Sequence, residues 1–124
     1  MPKVLIIDDN ADHVRMTSRV LTAKGYDVSS AGDGETGLGM ATANRPDVIL
    51  LDLGLPDVDG QTLVGWLRRE PVLEGVPIVA VTAWPDDVAA QMVAAYGFDG
   101  YISKPITFAT LGDQVAVYLS PDDV

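Results

Sequence analysis

Val48-Ile49-Leu50-Leu51-Asp52-Leu53-Gly54-Leu55-Pro56 is the stretch on which the fold turns. Val48 to Leu51 are four apolar residues in succession, without the alternation of a half-solvated strand, and predict a strand covered on both faces. Asp52 closes the run, and Gly54 and Pro56 break it, so a carboxylate stands at the carboxyl end of that strand. Such a strand needs helices above and below it, and the flanking sequence supplies them. Working outward, Val4 to Ile7, Val28 to Ser30, Ile78 to Val81 and Gly100 to Ile102 predict four more strands, each separated from the next by a helix-length segment. The first, third and fourth are nearly all apolar and belong in the middle of the sheet.

The helices carry their own start and stop signals. Asn10 caps one that runs to Lys24, where Gly25 offers a left-handed stop, and Asp33 caps a second that ends before Pro46. A third spans about Gln61 to Glu70, and a fourth has Pro85 in its first turn and ends at Gly97. Phe108, Leu111, Val115 and Tyr118 or Leu119 form the apolar stripe of the last. Strand and helix alternating in this way predict an α/β fold, a doubly wound five-stranded parallel sheet of order 2-1-3-4-5. Ligands bind such sheets at the carboxyl ends of the strands, where the order reverses.

The 124 residues predict one domain over 1–120, with a short acidic tail at 121–124. No apolar run is long enough to span a bilayer and no secretory layout precedes the first strand, so a cytoplasmic protein without a membrane association is expected. There is no cysteine, which excludes disulfides and thiolate metal sites. The net charge of −10, from 18 acidic and 8 basic side chains, repels a nucleic-acid backbone and argues against direct nucleic-acid binding. The same charge favours a cation or a basic partner.

Chemistry collects at the predicted carboxyl edge. Strand 1 ends in Asp8-Asp9, strand 3 in Asp52 and strand 4 in Thr82, and Lys104-Pro105 follows strand 5. Three carboxylates converging within about 4–5 Å repel by roughly 4 kcal/mol per close pair at an effective dielectric near 20, so a cation is expected among them. All-oxygen ligation suits Mg²⁺, which retains several waters. With such a cation, Asp52 is a plausible nucleophile toward an activated phosphoryl group, Lys104 can spread the charge of the transferring oxygens, and Thr82 offers a hydroxyl to them. His13, alone on the first helix, is read as an exposed residue without a metal or phosphoryl role.

Two motifs at other positions are decoys. Gly32-Asp33-Gly34-Glu35-Thr36-Gly37 fits a dinucleotide-binding loop, but its two acids would face a pyrophosphate. Asp57-Val58-Asp59-Gly60 suggests a calcium loop, but that register puts Leu55 and Trp66 at ligand positions.

Taken in order, Ile6-Ile7-Asp8-Asp9-Asn10, Leu50-Leu51-Asp52-Leu53-Gly54-Leu55-Pro56, Val81-Thr82-Ala83 and Tyr101-Ile102-Ser103-Lys104-Pro105 resemble the receiver domain of two-component response regulators over essentially the whole chain. The resemblance implies a flavodoxin-like receiver fold and a phosphoacceptor signalling switch. Asp52 matches the phosphorylated aspartate, Asp9 a direct metal ligand and Asp8 the acid that holds a metal-bound water. Gly54 matches the residue whose backbone carbonyl reaches the metal, Mg²⁺ or Mn²⁺. Lys104 matches the lysine that pairs with the phosphoryl group, Thr82 the switch hydroxyl and Tyr101 the aromatic whose rotamer follows activation. Lys104-Pro105 matches a peptide bond that is typically cis.

The implied partners are a histidine kinase or histidine phosphotransfer protein upstream and a downstream protein target, met on a surface around Ala89, Met92, Tyr101 and Phe108. A stand-alone, single-domain receiver or a piece of a longer protein fits equally. Two departures from the family pattern bear on the lifetime of a phosphorylated form. Gly54 leaves one side open, and the bulky Trp84 is expected to lean over the acceptor. The competing reading is a Mg²⁺-dependent small-molecule phosphatase or phosphotransferase with Asp52 as nucleophile, although no residue resembles a general acid for its leaving group.

Overall fold

Each apolar run forms a strand, and each strand extends by a residue or two beyond the run because its ladder continues. In the computed structural model, residues 1–119 are described; Ser120 and the tail expected at 121–124 lie outside the described residues. The strands are β1 (Lys3–Ile7), β2 (Asp27–Ala31), β3 (Val48–Asp52), β4 (Ile78–Thr82) and β5 (Gly100–Ser103). All pair in parallel in the order β2-β1-β3-β4-β5, as expected. Every residue of β3 and β4 is buried.

Between the strands lie α1 (Ala11–Ala23), α2 (Gly34–Ala43), α3 (Gly60–Arg68), α4 (Asp86–Tyr96) and α5 (Phe108–Ala116). Asn10, Asp33 and Asp59 cap the first three, accepting from the amides of His13, Thr36 and Thr62 respectively. Gly25 and Gly97 stop α1 and α4 at φ 94° and 89°, values that a residue with a Cβ rarely adopts.

Three boundaries differ from expectation. Pro85 stands at the cap position before α4 with an extended ψ of 150°, not in its first turn. The third helix ends at Arg68, and a separate 3₁₀ turn, Pro71–Leu73, follows because Pro71 suits a helix start and not a helix interior. Finally, α5 ends at Ala116, and the amides of Tyr118 and Leu119 turn back onto the carbonyls of Val115 and Ala116. The stripe survives that turn: Leu111, Val115 and Leu119 are buried together. Among the described residues no helix is long and apolar enough to cross a membrane.

Strand alternation divides the core in two. Val4, Ile6, Val48, Leu50, Val79 and Val81 face Leu21 of α1 and Leu111 and Val115 of α5. Leu5, Ile7, Ile49, Leu51, Ile78 and Ala80 face Leu63, Val64 and Leu67 of α3, with Ala41 of α2 and Met92 of α4. Register then sorts the residues at the edge. Asp52 pairs with Val81 and so continues the α1/α5 face, and Asp8 follows Ile7 with its amide on the Ala31 carbonyl at 3.0 Å. Thr82 follows Ala80 on the opposite face, and Ala80 pairs with Tyr101. The acids therefore belong to one side of the sheet, and the hydroxyl and aromatic to the other.

Ile49 is fully buried at the centre of this arrangement. Ile49→Ala should cost about 2–5 kcal/mol through lost burial and the cavity it leaves. Urea denaturation monitored by circular dichroism measures the loss; a change below about 1 kcal/mol would mean that the core closes over the gap.

Candidate functional site: a buried acidic edge

Asp8 and Asp52 lie at the ends of strands whose neighbours are apolar, and their exposures are only 4% and 8%. A carboxylate so placed needs donors, since water reaches it poorly. Each obtains them in the same way. Oδ1 of Asp8 accepts from the Asn10 amide at 2.9 Å, and Oδ1 of Asp52 accepts from the Gly54 amide at 2.8 Å. The second oxygen of each meets a side chain from another element. Lys104 Nζ donates to Asp52 Oδ2 at 2.6 Å, and His13 Nδ1 lies 2.5 Å from Asp8 Oδ2.

The backbone delivers these partners. The Lys104 amide bonds the Thr82 carbonyl at 2.8 Å, extending the β4–β5 ladder by one residue and setting the lysine stem over the edge, and the Lys104-Pro105 bond is cis, as the resemblance implied. Thr82 is 3% exposed, and its Oγ1 accepts from the Trp84 amide at 3.0 Å. No described residue takes its hydroxyl proton. Tyr101, half-buried, donates to Asp86 Oδ1 at 3.4 Å, and Ser103 donates to the same oxygen at 3.1 Å. Burial, and then the Asp86 charge, push the Tyr101 phenol above its ordinary range.

Asp9 is exposed, and its carboxylate takes no hydrogen bond from a described residue. The expected convergence of three carboxylates is not what the chain builds: among the described residues, no three His, Cys, Asp or Glu side chains stand close enough together to hold a metal ion. Two acids are buried and one is exposed, because β1 ends at Ile7 and the chain bends away at Asp9. The donor chemistry still fits a hard cation that keeps several waters. Carboxylate oxygens predominate, and a Cβ at Gly54 would meet only Asp52 Oδ1, at 3.6 Å, so the approach past Gly54 is open.

His13 is not the exposed residue expected. Its side chain is 24% exposed and seated on Asp8. The Asn10 cap bonds the His13 amide at 3.1 Å, which aims the first turn of α1 back at the strand end. That cap, with a histidine three residues after it, is the signal that could have revealed the contact. One turn on, Thr17 is 2% exposed and its hydroxyl has no partner among the described residues. Trp84 is 40% exposed, and its ring lines neither the small cavity beside Asp8 and Asp52 nor the cleft beside Lys104.

Asp57 is a second residue that the sequence reading passed over, having been weighed only in the calcium decoy. Its two oxygens accept from the Gly34 and Glu35 amides at 2.8 and 3.0 Å, so the loop after Asp52 is stapled to the start of α2. Ala89 and Met92, expected on an exposed face, are buried beneath α4. The large exposed apolar residues of that helix are Val88 and Tyr96. Phe108 packs with the α1/α5 side of the core.

A family model for the response regulator receiver domain matches residues 4–116. The polar-differentiation response regulator DivK of Brucella anthropi is 33% identical over 120 residues, which are 96% of this chain and 98% of its own. The solved structure of the chemotaxis response regulator CheY4 of Vibrio cholerae is 32% identical with a TM-score of 0.90, covering 96% of this chain and 99% of that one. A two-component response regulator from Clostridium difficile is 30% identical with a TM-score of 0.85, covering 95% of each chain.

The staple has a pH signature. The Gly34 amide first, and then the Glu35 amide, hold the Asp57 carboxyl below its ordinary value of 3.8. A lowered folded-state pKa contributes stability that is present above the unfolded value and lost as pH falls through the folded one. Asp57→Asn should therefore lower the urea midpoint at neutral pH, and the gap to wild type should narrow once the pH drops below 3.8. A gap that stays constant across that range would show that the Asp57 charge adds nothing to the staple.

Proposed function

The chain belongs to the response regulator receiver domain family, and from that premise we propose that Asp52 is the residue on which this signalling switch accepts its phosphoryl group. Receiver domains are signalling switches and not classical enzymes, so turnover of small phosphate esters is not the function. The observation that carries the reading is the Asp52 carboxylate, buried at the end of the central strand with one oxygen on the Gly54 amide and the other on the Lys104 ammonium.

Response regulators work with histidine kinases and downstream targets. In the proposed step, an Asp52 oxygen attacks the phosphorus of a phosphohistidine on a kinase or phosphotransfer protein. The P–O bond forms as the P–N bond breaks, and the imidazole leaves with its electron pair and takes up a proton. The Gly54 amide holds the carboxylate in place during attack. Lys104 moves from Asp52 onto the phosphoryl oxygens, a displacement its flexible stem permits. Thr82 then spends its unused hydroxyl proton on one of those oxygens.

We assign Asp8, Asp9, Asp52 and the Gly54 carbonyl to a Mg²⁺ site, with Mn²⁺ as a substitute. Two inward acids and an outward one suit a cation that binds protein through few carboxylates and keeps its water. When bound, it neutralises charge on the phosphoryl oxygens.

Thr82 lies on the α4 side of the sheet, so its capture by the phosphoryl group pulls on the segment that carries Trp84, Pro85 and the start of α4. Tyr101 and Ser103 hold Asp86 at that same start. A downstream protein is thus expected to read the surface of α4 and β5, with Val88, Tyr96 and Tyr101 at its centre.

Phosphorylation by acetyl phosphate, followed by intact-protein mass spectrometry, should give one acid-stable, base-labile adduct that requires Mg²⁺ or Mn²⁺. It should be absent in Asp52→Asn and slowed at least about tenfold in Lys104→Ala. An adduct formed on Asp52→Asn at the wild-type rate would sink the assignment, and catalytic release of phosphate would favour a phosphatase.

Beryllofluoride with Mg²⁺ should move backbone NMR signals most at Thr82, Asp86, Val88 and Tyr101. Shifts confined to α1 and α2 would put the output elsewhere.

A further inference from the structure

We propose that His13 is a positioning residue of the cation site, holding the plane of the Asp8 carboxylate through Nδ1; the inference rests on the Mg²⁺ assignment above.

One anchor fixes one oxygen of a carboxylate and leaves the group free to pivot about it; a second anchor fixes the plane. Asp8 has both, the Asn10 amide at 2.9 Å on Oδ1 and His13 Nδ1 at 2.5 Å on Oδ2. These donors occupy two of the roughly four lone-pair sites of the carboxylate, so the others stay available to a cation or its water, in directions the anchors set. With both anchors in place Asp8 is only 4% exposed, so solvent does not compete with them.

The surroundings of His13 hold the ring as well as the bond. His13 lines a cavity of about 10 Å³ beside Asp8, Thr17 and Asp52, whose other walls include Ile106 and Leu111. It also lines an open cleft of about 320 Å³ with Asn10, Lys104 and Phe108. The imidazole, with Ile106, therefore stands between the buried acids and the cleft. Without it, Oδ2 of Asp8 would open onto the cleft and exchange one fixed partner for mobile solvent, so the plane of the carboxylate would no longer be set. Partners that orient a metal-ligating group typically change affinity 10- to 100-fold when removed.

Calorimetric titration of the full chain with Mg²⁺ and with Mn²⁺ tests this. His13→Ala should weaken both about tenfold. His13→Asn should restore most of the affinity, because its amide nitrogen occupies the place of Nδ1, whereas His13→Gln, with its nitrogen one bond further out, should not.

An independent readout needs no cation and guards against a variant that fails to fold. In the wild-type protein, the Nδ1-bound proton of His13 should appear in NMR as a hydrogen-bonded signal shifted downfield, and should lose that shift in Asp8→Asn. Absence of that signal in wild type overturns the proposal, as does cation affinity that is unchanged or tighter in a folded His13→Ala. Wild-type protein that binds neither cation overturns the Mg²⁺ assignment along with it. Wild-type binding with unaffected His13 variants overturns this inference alone.

Discussion

Two carboxylates at the ends of strands buried on both faces are the constraint on which the rest of this molecule depends. Burying a charge costs several kcal/mol unless partners offset it. Here each acid is met by a backbone amide two residues onward and by one side chain from a different element. That requirement dictates the local chain. It needs a turn straight after β3, so that the Gly54 amide points back, and a cap at Asn10, so that α1 brings His13 over the edge. It also needs a β5 ladder that runs on to Lys104.

Lys104 compensates Asp52 with a long, flexible stem; on the proposed assignment, a phosphoryl group at Asp52 would offer the ammonium a stronger partner close by. Asp8 is met instead by the shorter and stiffer His13 ring, which lines both the small cavity and the open cleft.

On the proposed assignment, transmission to a distant face would follow from strand parity. The acids continue the rows that face α1 and α5, while Thr82 and Tyr101 continue the rows that face α3 and α4. A ligand for the Thr82 hydroxyl at the acid edge would act on the segment leading into α4, and Asp86 ties that segment to β5 through Tyr101 and Ser103. Asp57 meanwhile ties the opposite flank of the site to the start of α2.

Most of the architecture was legible because its signals are local. Unbroken apolar runs at Val48 to Leu51 and Ile78 to Val81, caps at Asn10 and Asp33, and stops at Gly25 and Gly97 each act within a few residues, so the order of elements and the edge that gathers Asp8, Asp52, Thr82 and Lys104 could be read directly. What only the tertiary structure decided are contacts between segments far apart in the chain, and the point at which a strand ends and the chain bends away. Asp57 reaches the start of α2 across 23 residues, and Asp9 is exposed while Asp8 is buried. Ala89 and Met92 face the core and not a partner. His13 shows the limit most plainly. The Asn10 cap puts His13 in the first turn of α1, but whether that turn stands above a buried acid or in solvent depends on where α1 sits on the sheet, and packing alone sets that.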